Sequence, residues 1–324
     1  MQVPTLSYQH AINTIKLLYK HQGFKQNEST LSEKVYNEFN IDIKDAQLAS
    51  LFAYIDEYIA LLRILANFQL QSATQGLKPS GTYYKIIIRQ IKHLTSIRLL
   101  CSHGLDTDAR ITLRLLFETG LTWTRFQLDD KFRQDYENVQ TFKDSNAFWH
   151  TYLSKGKTET YIKEELTKRQ SVWIGSMEDQ IDHMKEILSS ISHPSNIADD
   201  FSYKTDLENE TFGVEKIPQQ THFTLHYSFL CTLMPLAIIP SPSEPLLANE
   251  EFKFKYEPEH ETINDPLEYY QEIKKMFPAL FLMFIKFSEE TRKIGTNPTA
   301  NMGIAANLNV DCTGLEPVTP TLSK

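Results

Sequence analysis

Apolar positions along this chain recur at helical spacing far more often than in alternation. From Asp42 to Gly76, the residues Leu48, Phe52, Ile55, Ile59, Leu62 and Ala66 alternate steps of four and three, the period of a long helix packed lengthwise on others. A second set, Leu51, Tyr54, Tyr58, Leu61, Leu65 and Phe68, widens that apolar face, which predicts a helix at the centre of a bundle. Asp42 is its candidate N-cap and Gly76 its stop. After the turn LKPSG, a helix is expected from Thr82 to His103, with Ile87, Ile91, Leu94 and Ile97 inward and Gly104 ending it. Asp106 or Thr107 then caps a helix reaching Leu128. Further helical patterns cover Asp130 to Thr141, Ser145 to Leu153, Thr158 to Trp173 and Ser176 to Ile191, the last opening on the capping-box-like SMED. EFKFKY, at Glu251 to Tyr256, alternates and reads as a short strand or an extended linker.

These elements predict an all-α fold, a multi-helix bundle of about eight to ten helices with an accessory C-terminal helix. The expected division is an N-terminal helical segment over 1–41, a central bundle over 42–239, a Pro- and Glu-rich linker over 240–265, a helix over 266–293 kinked at Pro278, and a flexible tail over 294–324. The helices at Asp42 to Gly76, Thr82 to His103, Asp106 to Leu128 and Ser176 to Ile191 are expected to form its centre.

Composition narrows the function classes. A net charge of -8 over 324 residues argues against a broad basic surface for duplex DNA, while leaving room for a local basic patch and for RNA. Cys101, Cys231 and Cys312 are few, odd in number and widely spaced, which points away from a disulfide framework and towards a reducing cytoplasm. The most apolar window, Phe229 to Ile239, is short of the roughly 20 residues that span a bilayer, and no membrane association is expected. With 11 glycines in the chain and no glycine-rich phosphate loop, no nucleotide cofactor is expected.

Three groups of polar residues call for explanation. In DARITLRLLFETG, at Asp108 to Gly120, the residues Arg110, Arg114 and Glu118 stand four apart. At about 40° per step they form a stripe about 80° wide on an otherwise apolar helix. An apolar helix is usually buried, so Glu118 is expected to be largely buried and in polar contact with Arg114, Arg110 or His193. The structural reading is an orienting ion pair; the functional one is a pocket in which arginine holds an anion and Glu118 acts as a base. His193, in ILSSISHPS, ends a helix before Pro194 and either caps it or joins that pocket. His222 and His226 in HFTLH have the spacing of a helix-borne metal pair, with His193 the candidate third ligand, although packing among Phe223, Tyr227 and Phe229 is the favoured reading and no metal is assigned. Arg98 and His103 in RLLCSH match the Arg-x4-His spacing of HEPN-type ribonucleases, with Leu99 where that family usually has a polar residue.

GLDTDARITLRLLFETGL followed by ILSSISHPS resembles an uncharacterised bacterial family of all-helical proteins with an Arg-x-x-x-Glu helix and a later Ser-x-x-x-His helix end. The matching positions are Arg114, Glu118, Ser189 and His193, and the resemblance covers roughly Leu48 to Ile239. It implies no established activity; helical relatives by analogy belong to toxin and phage-defence systems. Two functional expectations follow. The first is a partner-binding or regulatory helical protein, expected in a bacterial defence or stress system and acting as a homo-oligomer or with a protein partner. The second is a metal-independent HEPN-like ribonuclease using Arg98 and His103, with Arg110 or Arg114 holding phosphate.

Overall fold

The computed structural model describes residues 8–21, 46–76, 80–103, 105–168, 174–192, 221–237, 254–256, 261–263, 270–277, 279–280 and 283. Among them the fold is all-α, with nine helices: α1 (Tyr8–His21), α2 (Ala46–Thr74), α3 (Ser80–Ser102), α4 (Asp106–Leu128), α5 (Asp130–Glu137), α6 (Phe142–Phe148), α7 (Lys157–Lys168), α8 (Ile174–Ser192) and α9 (Thr221–Ala237). A π-helical turn, Trp149–Leu153, and a 3-10 turn, Ser154–Gly156, join α6 to α7. Residues 270–277 are helical as well, and Tyr270 and Phe277 pack edge-on against Phe68 and Tyr58 of α2. The predicted caps Asp42 and Ser176, the metal candidate His222, and His193 with the tail over 294–324 lie outside the described residues or side chains.

The doubled apolar stripe of α2 is borne out. Every side chain from Leu51 to Leu62 is buried, and the helix stops where expected, at Gly76 with φ +82°, a conformation glycine adopts without steric cost. α1 and α3 pack on α2, α4 packs on α3, and α9 lies along α4. The fourth central helix is therefore α9. The Ser176 to Ile191 pattern, expected at the centre, forms α8, which sits farther out against α4 and α7. The reason is local and steric. On α4, Gly120 lets the α9 backbone approach so closely that a Cβ built there would stand 2.6 Å from the carbonyl oxygen of Cys231. On α9, Thr224, Ser228 and Thr232 are fully buried, and the last two hydroxyls are satisfied inside the helix: Ser228 donates to the Thr224 carbonyl at 2.7 Å and Thr232 to that of Ser228 at 2.9 Å. Small side chains that carry their own hydrogen bonds allow the short separation without leaving polar atoms unmet.

Two local expectations differ in detail. α4 begins at Asp106 with Leu105 as N-cap and no side-chain cap hydrogen bond, so neither Asp106 nor Thr107 caps it as expected. Among the described residues a capping box forms at Thr141 and Asp144, where the hydroxyl accepts from the Asp144 N–H and the carboxylate accepts from the Thr141 N–H. Of EFKFKY, the residues Phe254–Tyr256 form a strand paired antiparallel with Glu261–Ile263. The expected linker thus contains a short hairpin.

Candidate functional site

Among the described residues, the largest concentration of buried charge lies between α1, α2 and α3. Asp56 and Glu57 interrupt the apolar run FAYIDEYIALL, and both are fully buried. Helical spacing puts Phe52 and Asp56 on one face, and Arg98 of α3 lies against it. Its guanidinium stands 4.8 Å from the Phe52 ring centre and forks onto Asp56, with Nε to Oδ1 at 2.9 Å and Nη2 to Oδ2 at 3.2 Å. Both side chains of this pair have zero exposure. Glu57, about 100° further round the helix, accepts a hydrogen bond from the Tyr19 hydroxyl of α1. These carboxylates escaped the sequence reading. The available signal was that two apolar stripes on one helix leave no solvent face for Asp56 and Glu57.

This arrangement removes the geometric basis of the Arg98 and His103 site. His103 is exposed, with Nδ1 2.8 Å from the Leu99 carbonyl oxygen and 3.2 Å from the Ser102 hydroxyl. Arg98 is sealed on Asp56, so the two do not share a surface on which a phosphate could meet both.

The Arg110, Arg114 and Glu118 stripe crosses the boundary of the core. Arg110 is 2% exposed and donates to the Thr107 hydroxyl at 3.3 Å. Arg114 and Glu118 pair at 3.2 Å with side chains 34% and 56% exposed. The expected contact with Arg114 forms, but the expected burial of Glu118 is wrong. Each step of four turns the stripe about 40°, and two such steps carry it from the core edge to solvent. A pair this exposed contributes on the order of 0.3–0.5 kcal/mol. The apolar neighbours on that side, Ile111 and Leu115, are also 47% and 46% exposed, whereas Phe117 and Leu121 on the other side are buried. The outward face of α4 is therefore Asp108, Ile111, Leu115 and Glu118.

The other candidates do not converge among the described residues. Ser189 is half-buried on α8. His226 is half-buried on α9, its ring 5.4 Å from that of Tyr227, which His183 of α8 approaches at 6.1 Å. No group of three or more His, Cys, Asp or Glu side chains among the described residues is placed to hold a metal ion.

A second charged centre was missed altogether. Arg125, near the end of α4, is 6% exposed, and three rings surround its guanidinium: Phe132 at 4.5 Å, Tyr152 at 5.1 Å and Tyr161 at 4.4 Å. It also pairs with Asp129 at 3.3 Å and donates to the Tyr152 carbonyl and the Thr158 hydroxyl, each at 3.2 Å. Asp129 in turn caps α5 by accepting from the Phe132 N–H. Arginine suits this position because its planar cation stacks on rings while its edge donates. The contacts tie α4, α5, the π turn and α7 into one unit.

His93 on α3 gives the fold a pH signature. Burial, and then the neighbouring Arg89 charge, lowers its pKa from the ordinary 6.5. The unfolded chain therefore takes up a proton before the folded one does. This contribution is fully present above the unfolded value and is lost as pH falls through it towards the folded pKa. Denaturant midpoints are expected to decline below about pH 6.5, and an NMR titration of His93 should show a midpoint below 6.5; a midpoint at or above that value would contradict its burial.

No helix among the described residues is long and apolar enough to cross a membrane. No family model matches the chain, and comparison with curated proteins and with solved structures finds no significant match.

Proposed function

We propose that this chain is a helical binding protein that self-associates through the outward face of α4. The observation that carries the reading is the exposure of Ile111 and Leu115, 47% and 46%, on a helix otherwise committed to the core. The Asp56 and Arg98 pair is sealed from solvent, so neither charge is available at the surface to a ligand. In an isologous contact the same patch meets itself across a two-fold axis. Antiparallel packing about Ile111 stacks that residue on its copy and sets Asp108 of each chain level with Arg114 of the other. Placement in a bacterial defence or stress system is an expectation from the family resemblance alone.

The magnitude can be bounded. Complete burial of an Ile or Leu is worth about 1.5–3 kcal/mol, so the four half-exposed side chains of two copies supply about 3–6 kcal/mol. Association costs about 4–15 kcal/mol. The contact should be weak and concentration-dependent. Sedimentation equilibrium is expected to show a monomer–dimer equilibrium that Ile111→Lys with Leu115→Lys abolishes while leaving the melting temperature near that of the parent. A parent protein monomeric at every concentration, or a dimer indifferent to both changes, would overturn the reading.

A further inference from the structure

His93 sits on the rim that α3 shares with the outward face of α4. Gln90 of α3 is fully buried and donates to the Leu116 carbonyl of α4 at 3.4 Å, which fixes the register of this antiparallel pair. Three residues on, His93 lies about 60° round the helix from Gln90 and about 4.5 Å along it. It therefore stands level with residues 112–115 of α4, beside the exposed Leu115. The imidazole is half-buried, and burial, followed by the Arg89 charge, already opposes its protonation.

The charged groups around it are mostly cations. From Ser80 to Ser102, α3 has no acidic residue. Arg89, one turn before His93, is exposed and donates to the Tyr136 hydroxyl of α5 at 3.4 Å; Lys92 and His103 are exposed as well. From α4 the same rim presents Thr112, Leu115 and Thr119. Both threonine hydroxyls are engaged within the helix, with the Asp108 carbonyl at 3.1 Å and the Leu115 carbonyl at 2.7 Å. Asp108 is the carboxylate on this rim, about five residues along α4 from the level of His93. Glu118 lies beyond Leu115 and pairs with Arg114, and Glu137 of α5 stands at the other end of α3, where it accepts from the Thr82 hydroxyl.

The α4 self-contact would bring this rim against its own copy. A two-fold through Ile111 keeps both α3 rims on one side of the dimer and sets the stretch of α3 near Thr95 opposite itself. His93 then stands about one turn from its counterpart, with Arg89 and Lys92 of each chain beside the two rings. We infer that His93 is a proton gate on α4 self-association, the neutral imidazole permitting the dimer and the imidazolium opposing it. The inference rests on the α4 face being the interface. Association removes further water from a ring that is already half-buried and turns it towards like charges, and both effects disfavour its cationic form. Dimer formation therefore expels the proton, and the dimer loosens as pH falls. Asp108 acts in the opposite direction, but each chain sets that one carboxylate against Arg89, Lys92 and His93.

The test is sedimentation equilibrium of the full chain at about pH 8 and about pH 5.5, with circular dichroism on each sample to separate dissociation from loss of fold. The dimer Kd of the parent is expected to rise roughly tenfold at the lower pH. His93→Gln should dimerise equally at both values. His93→Lys, charged throughout, should be weak at both, and comparing these two variants at the higher pH reads the gate without any acid. A parent that is monomeric at both values, or a dimer indifferent to Ile111→Lys with Leu115→Lys, would remove the α4 contact and the gate with it. A dimer that those changes abolish, yet that ignores pH or keeps its pH response in His93→Gln, would overturn the gate and leave the contact standing. Tighter association at the lower pH would also overturn it, since Asp108 would then be holding the imidazolium across the interface.

Discussion

Arg98→Ala is expected to lower the free energy of unfolding by about 3–5 kcal/mol, because it leaves the Asp56 carboxylate without its bidentate partner in a site with no exposure. Against a typical domain stability of about 5–15 kcal/mol, that is a large share. The cost is the uncompensated charge rather than the worth of the pair. Replacing both partners together, Arg98→Met with Asp56→Leu, should therefore recover most of the loss. Urea titration followed by circular dichroism measures all three proteins. If the single variant loses less than about 1 kcal/mol, water must reach Asp56 and the interior placement of the pair is wrong.

Gly120→Val is expected to be comparably damaging for a steric reason. In a helix interior, replacing glycine by a residue with a Cβ would by intrinsic propensity gain up to about 1 kcal/mol. Here the new carbon would stand 2.6 Å from the Cys231 carbonyl oxygen. That contact is to backbone, so no side-chain rotation relieves it; α4 and α9 must separate. Overpacking of this kind costs about 1–3 kcal/mol, and the additional valine methyls push the effect to the upper end. Thermal unfolding of Gly120→Ala and Gly120→Val should show losses that grow with side-chain volume. A stabilised Gly120→Ala would mean that propensity outweighs packing and that the helices can part cheaply.

Both predictions rest on positions whose chemistry was poorly legible beforehand. Asp56 and Glu57 are visible in the sequence as charges in an apolar run, but their partners Arg98 and Tyr19 lie 42 and 38 residues away. Nothing local links them. Arg98 was legible only as half of a short motif with His103, and that motif reads separation along the chain, whereas the helix places the two residues in different environments. The exposure of Phe142 and Trp149 was similarly hidden. Phe142 falls between the expected helical patterns Asp130 to Thr141 and Ser145 to Leu153, so nothing local marked it as the exposed start of α6 while Phe148 turns inward. Conversely, the α4 stripe was recognised as unusual, and its failure was one of phase: periodicity identifies the charged face, but which side of α4 meets α9 depends on Gly120 and the small residues opposite.

What the chain by itself determined is therefore the helical architecture. The 3.6-residue recurrence of apolar positions, the glycine at 76 and the doubled stripe of α2 are local properties of consecutive residues, and local geometry is enough to make them helices. What only the tertiary structure decided is which charges are sealed and which face water. Arg98, Arg110, Arg114 and Arg125 are the same residue type on neighbouring helices. Their fates diverge, into a buried fork, a core-edge contact, an exposed pair and a cage of three rings, because burial is set by the helices packed against each one, and those are distant in sequence.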